Sequence, residues 1–318
     1  MHYDVFNGDA DGIIALLQLR LKSPKNTKLI TGVKRDIQLL KQVEATAQDS
    51  VTVLDISMAK NADALRNVLE SGASVFYADH HQAGEIPQHA QLEAHIDLDA
   101  NACTALIIDR YLHGEYHLWA ITAAYGDNMI ARADQLAMQA GLTEIQCEQL
   151  KALGTLINYN GYGEQLDDLH YHPAELYQAL LGYASPFDVI KDPNSPYSTL
   201  KQAYEDDLNQ ALACQPYFQN AALSVFCLPN SKASRRISGV YGNLLANQHH
   251  ESAHAVVTDN ADDTYTVSLR APLANKQGAG TLCSEFTTGG GREAAAGINA
   301  LPKSQLDEFI QRVANYYA

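Results

Sequence analysis

Acidic residues and histidines stand at the predicted ends of several strands in the first half of the chain. They occur in four short segments: Asn7-Gly8-Asp9-Ala10-Asp11-Gly12, Leu54-Asp55, Asp79-His80-His81 and Gly126-Asp127. Carboxylates that lie close together repel one another unless cations neutralise them, and carboxylates with imidazoles suit Mn²⁺ or Mg²⁺. Two such ions, roughly 3.5–4 Å apart, would hold a phosphoryl group and activate a water, with the carboxylate of Asp55 bridging them.

Each of these residues taken singly has a plainer interpretation. An aspartate at the end of a strand is more often a helix N-cap or a turn residue than a metal ligand. The joint pattern favours the metal site, because four separate segments supply ligands of the same kind to one predicted region.

The elements that must position these residues alternate between strand and helix over the first hundred residues. Strands are predicted at Tyr3–Phe6, Lys28–Gly32, Ser50–Leu54 and Ala73–Ala78, with helices from Gly12 and over Ile37–Ala47 and Ala62–Leu69. This alternation predicts an α/β fold with a mostly parallel sheet and helices on both faces. Ligands of such sheets bind beyond the carboxyl ends of the strands, where the acidic segments fall.

The rest of the chain is predicted to form a helical extension and a smaller C-terminal α/β domain. The predicted helices are Thr104–Leu112, Leu118–Ala140, Glu144–Leu156, Pro173–Leu181 and Ser198–Ala213. Strands follow near Leu223–Cys227, Ala253–Thr258 and Thr264–Arg270, with a last helix at Lys303–Tyr316. We therefore divide the chain into a domain at 1–197, a connecting helix at 198–215 and a second domain at 216–318.

Composition limits the class of partner. The chain has 318 residues, with 22 Lys and Arg against 37 Asp and Glu, for a formal net charge of −15. Long nucleic acid is disfavoured as a substrate because no basic stripe is visible, whereas a short one would need only a local basic pocket. The sequence has no stretch apolar enough for a membrane helix and no signal-peptide pattern at its start, so we expect a cytoplasmic protein. Its 5 cysteines are dispersed, which indicates reduced thiols.

The motifs together resemble the DHH phosphoesterase family, which is named after the motif that stands here as Asp79-His80-His81. Asn7–Gly12 resembles the first family motif, Leu54-Asp55 the second and Gly126-Asp127 the fourth. The C-terminal half resembles the substrate domain associated with that family, in the oligoribonuclease and single-strand exonuclease branch. There Ser268-Leu269-Arg270 and the segment Gly289–Gly297, predicted as a glycine loop followed by a small-residue helix, match the family's motifs.

The resemblance implies a Mn²⁺-dependent hydrolase whose active site lies between two domains. It assigns the metal ligands to Asn7, Asp9, Asp11, Asp55, His80 and Asp127, and it makes Asp55, Asp79 and His81 catalytic, with His81 contacting the scissile phosphate or donating a proton. It assigns substrate phosphate to Ser268, Arg270, Gly289, Gly290, Gly291 and Arg292. Two residues depart from the pattern: Asn7 and Arg292 stand where the family usually has histidine. The first departure weakens one of the two expected ion sites, and the second replaces a titratable group with a permanent cation.

The predicted function is hydrolysis of a phosphate ester in a short oligonucleotide or a small nucleotide. Nucleotide monophosphates and inorganic pyrophosphate are the competing substrates, and Mg²⁺ is the competing metal. A different class also stays open: a nucleotide-binding protein that has reduced or lost catalysis. No membrane partner is expected, and a homodimer is left open.

Overall fold

The N-terminal part of the chain is built on a parallel sheet of five strands. The computed structural model describes every residue from Met1 to Ala318, and the chain divides into two units, Met1–Gln202 and Ala203–Ala318. The strands of the first unit are β1 (His2–Phe6), β2 (Lys28–Ile30), β3 (Ser50–Leu54), β4 (Ser74–Asp79) and β5 (Leu92–Ile96). Their order is β2-β1-β3-β4-β5, and every neighbouring pair is parallel.

Helices lie on both faces of this sheet, because its strands are apolar on both sides. On one face α1 (Ala10–Lys22) is buried along most of its length. On the other face α2 (Ala62–Glu70) and a 3-10 turn at Leu39–Gln42 cover an apolar cluster that includes Tyr3, Val5, Val51, Val53 and Tyr77. The α/β fold predicted from the alternating pattern is confirmed.

The helical extension of the first unit follows β5. Its helices are α3 (Thr104–Tyr111), α4 (His117–Gly126), α5 (Ile130–Gln139), α6 (Glu144–Gly161), α7 (Pro173–Leu180) and α8 (Pro186–Lys191), with further 3-10 turns at Ala59–Asn61 and Leu166–Asp168. Helix α9 (Pro196–Leu212) spans the residues at which the two units divide. None of the chain's helices combines the length and the apolar character needed to cross a bilayer.

The second unit contains a mixed sheet of six strands. Its elements are β6 (Phe218–Gln219), β7 (Leu223–Leu228), α10 (Lys232–Gln248), β8 (Ala253–Asp259), β9 (Thr264–Arg270), α11 (Ala279–Ser284), β10 (Gly289–Arg292), β11 (Ala295–Pro302), a 3-10 turn at Lys303–Gln305 and α12 (Leu306–Tyr317). The strand order is β10-β11-β9-β8-β7-β6, and only β7 and β8 pair in parallel. The core of this unit lies between the sheet, α11 and α12.

Two helix predictions in the first unit were wrong. The helix predicted at Ile37–Ala47 is only the 3-10 turn, because the Asn61 amide donates to the carbonyl of Ile37 and accepts from the backbone of Leu40. The helix predicted at Leu118–Ala140 is two helices, since Asn128 adopts a left-handed backbone with φ of 59° and ends α4. Asp127 therefore lies at the end of a helix.

The small-residue helix predicted after the glycines was also wrong. Gly289–Arg292 and Ala295–Pro302 form an antiparallel hairpin, and its second strand pairs with β9. A Cβ atom at Gly297 would lie 2.7 Å from the carbonyl oxygen of Val267, so the close pairing of these strands requires glycine there. Strand pairing with a distant segment thus overrides the local preference of the alanines.

Candidate metal centre

Three neighbouring strands of the first sheet deliver the acidic segments to one edge. Strand β1 is followed by Asn7, β3 by Asp55 and β4 by His80. The hydrogen-bond ladder continues past the strands: the Asn7 amide donates to the carbonyl of Leu54 at 3.2 Å, and the Asp55 amide donates to that of Ala78 at 3.1 Å. The side chains that follow these strands therefore share one edge, as expected for parallel strands.

Asp55 lies at the middle of this edge in an uncommon backbone conformation. Its φ angle is 58°, in the left-handed region that few residues other than glycine adopt. Its side chain is buried, and one carboxylate oxygen accepts a hydrogen bond from the hydroxyl of Thr104 at 3.2 Å. The same oxygen lies 3.5 Å from Nε2 of His80 and 3.8 Å from Nδ1 of His81. Strained backbone of this kind persists where the surrounding structure fixes it.

His80 has one ring nitrogen available to a ligand. Its Nδ1 lies 2.9 Å from the carbonyl oxygen of Ala102, and a carbonyl only accepts, so Nδ1 carries the hydrogen and donates. In the neutral ring the lone pair is then on Nε2, which faces Asp55 and lies 3.8 Å from Oδ2 of Asp11. A carbonyl that fixes the tautomer of a histidine in this way is a common partner of metal-binding imidazoles.

Asp9 and Asp11 serve as helix caps as well as members of the cluster. One oxygen of Asp9 accepts from the amides of Asp11 and Gly12, both at 3.1 Å, at the start of α1. The carboxylate of Asp11 accepts from the amides of Thr104 and Ala105, both at 2.7 Å, at the start of α3. Both carboxylates therefore accept hydrogen bonds at the start of a helix, and Oδ2 of Asp11 also lies 3.8 Å from Nε2 of His80.

Lys34 is a member of the site that the sequence interpretation missed. Its ammonium lies 2.5 Å from Oδ2 of Asp9, 3.1 Å from Oδ1 of Asn158 and 3.8 Å from Oδ1 of Asp127. The position of Lys34 in the sequence does indicate a place in the site, because Lys34 comes soon after β2, whose carboxyl end lies at the same edge. Only acidic residues and histidines were considered there, since lysine does not bind metal.

The carboxylates of the edge differ in their affinity for protons. Burial raises the pKa of Asp55 well above its ordinary value, and the negative charges of Asp11, Asp9, Asp79 and Asp127 raise it further. Burial also acts to raise the pKa of Asp9, but the ammonium of Lys34 outweighs it and lowers that pKa. Beside Asp9, the ammonium of Lys34 neutralises the negative charge of the edge. Beside Asp55, no such cation lowers the pKa of the carboxylate.

His81 lies beside the cluster with its side chain 37% exposed. Its Nδ1 is 2.8 Å from Oδ1 of Asp79, which is fully buried. An ionised carboxylate only accepts, so this contact orients the ring with its Nε2 directed away from Asp79. The arrangement suits a histidine that transfers a proton.

The residues predicted to bind substrate lie in the second unit, most of them on one face of its sheet. Across the three strands, Arg292 pairs with Ala295, and Ala295 pairs with Arg270. In the next row, Gly290 pairs with Gly297, and Gly297 pairs with Ser268. Directly opposed residues project to one side, so Arg292, Arg270 and Ser268 share a face. Gly289 and Gly291 alternate to the other face.

Gly289 is packed tightly, and Arg270 is held by protein acceptors. A Cβ atom at Gly289 would lie 1.7 Å from the carbonyl oxygen of Cys283. The guanidinium of Arg270 donates to Asn243 at 2.6 Å, to Ser268 at 3.0 Å and to the carbonyls of Leu269 and Gly239 at 3.2 and 3.1 Å. Four of its five N–H groups are thereby used, and the side chain of Arg292 is exposed.

The chain matches no protein-family profile, and no curated protein resembles it closely enough in sequence to count as a relative. Solved structures do resemble it. A structure described as a pGpG-specific phosphodiesterase, PggH, from Vibrio cholerae has a TM-score of 0.60 at 16% identity, over 100% of this chain and 99% of the other. A manganese-bound exonuclease RecJ has a TM-score of 0.58 at 16% identity, over 99% and 89%. An exopolyphosphatase-related protein from Bacteroides fragilis has a TM-score of 0.51 at 11% identity, over 99% and 92%.

The chain has the fold of these proteins. These structures agree, at the level of the fold, with the resemblance drawn from the sequence motifs. Identities of 16% and below show a common architecture and nothing about substrate, so the chemistry must be argued from the residues themselves.

The ligand atoms at one half of the edge fit a single divalent ion. Atoms bound to one ion at roughly 2.1 Å lie about 3–4 Å apart, and His80 Nε2 is 3.5 and 3.8 Å from oxygens of Asp55 and Asp11. Ligand atoms of Asp55, His80 and His81 also lie within 4.8 Å of one another. On the other half, beside Asn7 and Asp9, the ammonium of Lys34 contacts the carboxylate that an ion would bind.

Proposed function

We propose that this protein is a divalent-metal-dependent phosphoesterase that hydrolyses a short oligonucleotide or a small nucleotide phosphate ester. One observation carries the proposal: Asp11, Asp55 and Nε2 of His80 converge at the carboxyl edge of a parallel sheet. A buried group of carboxylates without a cation is unfavourable, so the arrangement is better suited to holding an ion than to stabilising the fold.

Asp11, Asp55 and His80 would hold the ion, and Mn²⁺ suits this mixture of ligands with Mg²⁺ as the second choice. A divalent ion there would neutralise charge on a phosphoryl group and lower the pKa of a nearby water. The left-handed backbone of Asp55 and its hydrogen bond from Thr104 fix the direction of the central carboxylate. Fixed charges of this kind need no reorganisation when negative charge shifts among the phosphoryl and leaving-group oxygens.

His81 would supply the proton that the leaving oxygen takes up. The buried carboxylate of Asp79 would hold the ring through Nδ1, so that a proton on Nε2 would face the substrate. We propose a positioning role for Asp79 because its contact in the structure is with His81.

In the second unit, Arg292 would bind substrate phosphate, and the short side chains beside it would leave room for a base. Ala295 lies between Arg292 and Arg270 in the register, and Gly290 and Gly297 lie in the next row on the same face. A guanidinium binds phosphate oxygens through two hydrogen bonds, which favours an anionic substrate. Arg270, whose donors are mostly used by the protein, would contribute charge and support.

Short oligonucleotides rank first among the substrates. The net charge of −15 disfavours long polyanions, which leaves short substrates with few phosphates. A second function, a nucleotide binder with reduced or lost catalysis, is favoured by one observation: the Lys34 ammonium binds Asp9, a residue that the resemblance assigns to metal.

Turnover of a defined panel tests the proposal. The purified protein is assayed with Mn²⁺, Mg²⁺ or chelator on dinucleotides, five-nucleotide RNA, 3′-phosphoadenosine 5′-phosphate and pyrophosphate. Metal-dependent cleavage that is lost in Asp55→Asn and kept in Asp63→Asn, an exposed aspartate of α2, would support the phosphoesterase. Binding of a nucleotide without turnover in any metal would favour the binder instead.

A further inference from the structure

The half of the site beside Asn7 and Asp9 is occupied by a cation of the chain itself. The Lys34 ammonium has three N–H groups, and its neighbours are oxygens of Asp9, Asn158 and Asp127. All three oxygens belong to elements that meet at the edge of the sheet. The ammonium is thus surrounded by oxygens in the way that a bound metal ion would be.

The segment that carries Lys34 is fixed at its backbone. The Lys34 amide donates to the carbonyl of Gly161, at the end of α6, at 2.8 Å. The Lys34 carbonyl accepts from the side-chain amide of Asn7 at 3.1 Å. The ammonium lies 5.4 Å from the ring centre of Tyr162, which adds a cation–π contact. These contacts direct the side chain into the site.

Asn7 links the missing histidine to this lysine. An imidazole at this position would offer a nitrogen lone pair to metal, whereas the amide nitrogen of Asn7 is a donor and holds the main chain of Lys34. The amide oxygen of Asn7 is buried and accepts no hydrogen bond. Asn7 therefore lacks the imidazole that would bind a metal ion, and its side-chain amide also holds the segment whose Lys34 ammonium lies at the same place.

We propose that the ammonium of Lys34 takes the place of one of two divalent ions, so that the protein binds a single ion between Asp11, Asp55 and His80. A divalent ion bound to Asp9 would lie within roughly 4 Å of the ammonium, where like charges repel strongly. Lys34 is then a positioning residue that supplies fixed positive charge beside the bound phosphate. The inference rests on the proposed function only in taking this edge as the metal site.

The number of bound ions tests this directly. Metal-free protein is titrated with Mn²⁺, and the unbound ion is counted from its electron paramagnetic resonance signal. The wild type is expected to bind one Mn²⁺ per chain with no signal from a spin-coupled pair. Two ions per chain in the wild type would overturn the inference.

Variants test whether Lys34, and not only the lack of a histidine at position 7, excludes the second ion. Asn7→His/Lys34→Met is expected to bind two Mn²⁺ and to show the spin-coupled signal, while Asn7→His alone, which keeps the ammonium of Lys34, and the exposed control Lys41→Met stay at one. A folded double variant that still binds one ion would show that Lys34 is not what excludes the second. If the double variant does not fold, the counts for the wild type and for Asn7→His still decide, because two ions in either chain, both of which keep Lys34, would overturn the inference.

Failure of this inference is distinguishable from failure of the proposed function. One ion without turnover of any substrate supports the inference and overturns the phosphoesterase. Two ions with turnover overturn the inference alone, and no bound ion overturns both.

Discussion

The amide of Asp55 donates to the carbonyl of Ala78 while the Asp55 backbone stands in the left-handed region, so β3 stays paired with β4 up to the residue that carries the central carboxylate. The strained residue is therefore tied to its neighbour strand and cannot relax without breaking the ladder. Asparagine tolerates this conformation better than alanine does. Asp55→Asn therefore removes the charge and tolerates the backbone conformation, whereas Asp55→Ala removes the charge and also strains the backbone.

Asp55→Asn is expected to lower turnover roughly 100- to 1000-fold, because it removes the charge at the middle of the site. Asp55→Ala should lose activity similarly and, in addition, lose about 1 kcal/mol of stability relative to Asp55→Asn from the left-handed backbone. Assays with Mn²⁺ and urea unfolding with chelator measure the two effects. Equal unfolding free energies for the two variants would contradict the role of the backbone.

Stability without metal should fall with rising pH because of Asp55. Its pKa is raised in the folded state, so the folded protein binds this proton more tightly than the unfolded chain does. The contribution is complete below about pH 4, the ordinary carboxyl value, and is lost as the pH rises through the folded pKa. Urea unfolding between pH 4 and 8 in chelator should show a decline that Asp55→Asn lacks. The lowered pKa of Asp9 acts only below this range. If the unfolding free energies of the wild type and of Asp55→Asn changed with pH in the same way, the raised pKa of Asp55 would be contradicted.

Thr104→Val should weaken binding of Mn²⁺ about 10-fold, because it removes the hydroxyl that orients Asp55 and keeps the shape of the buried side chain. Thr104→Ser retains the hydroxyl and is the matched control. Calorimetric titration with Mn²⁺ measures both affinities. Equal affinities for the two variants would mean that the hydroxyl does not orient the ligand.

Arg292→Ala should raise KM for a short oligonucleotide about 10-fold with kcat nearly unchanged, since one charge-assisted hydrogen bond to phosphate is lost. Arg312→Ala, which removes an exposed arginine paired with Glu285 and Glu308 on the same unit, should leave KM unchanged. Steady-state kinetics compare the two. A fall in kcat with KM constant would assign Arg292 a different role.

Asp4→Asn should destabilise the first unit by about 3–5 kcal/mol, because it leaves the buried guanidinium of Arg20 without its counter-charge. Burial acts to raise the pKa of Asp4, but the hydrogen bonds from Arg20 outweigh it and lower that pKa. Chemical unfolding at neutral pH measures the loss. The exposed control Asp63→Asn should change stability by less than about 0.5 kcal/mol.

The strand ends at Asp9, Asp55 and His80 could be predicted because each depends on a short local pattern of apolar residues followed by polar ones. The end of α4 was predictable in principle from Asn128, but the apolar residues on either side of it favoured one long helix. The hairpin at Gly289–Pro302 was not predictable locally, because its strands depend on pairing with β9. Lys34 was missed because its role depends on the oxygens that fold around it.

The caps formed by Asp9 and Asp11 make two helix starts sensitive to the charge of the site. The amides of Asp11 and Gly12 donate to one carboxylate, and those of Thr104 and Ala105 donate to the other. A cation that draws electron density from these carboxylates weakens their hold on the four amide protons. The chemical shifts and exchange rates of the amides in the first turns of α1 and α3 should therefore change when the charge at this edge of the sheet changes.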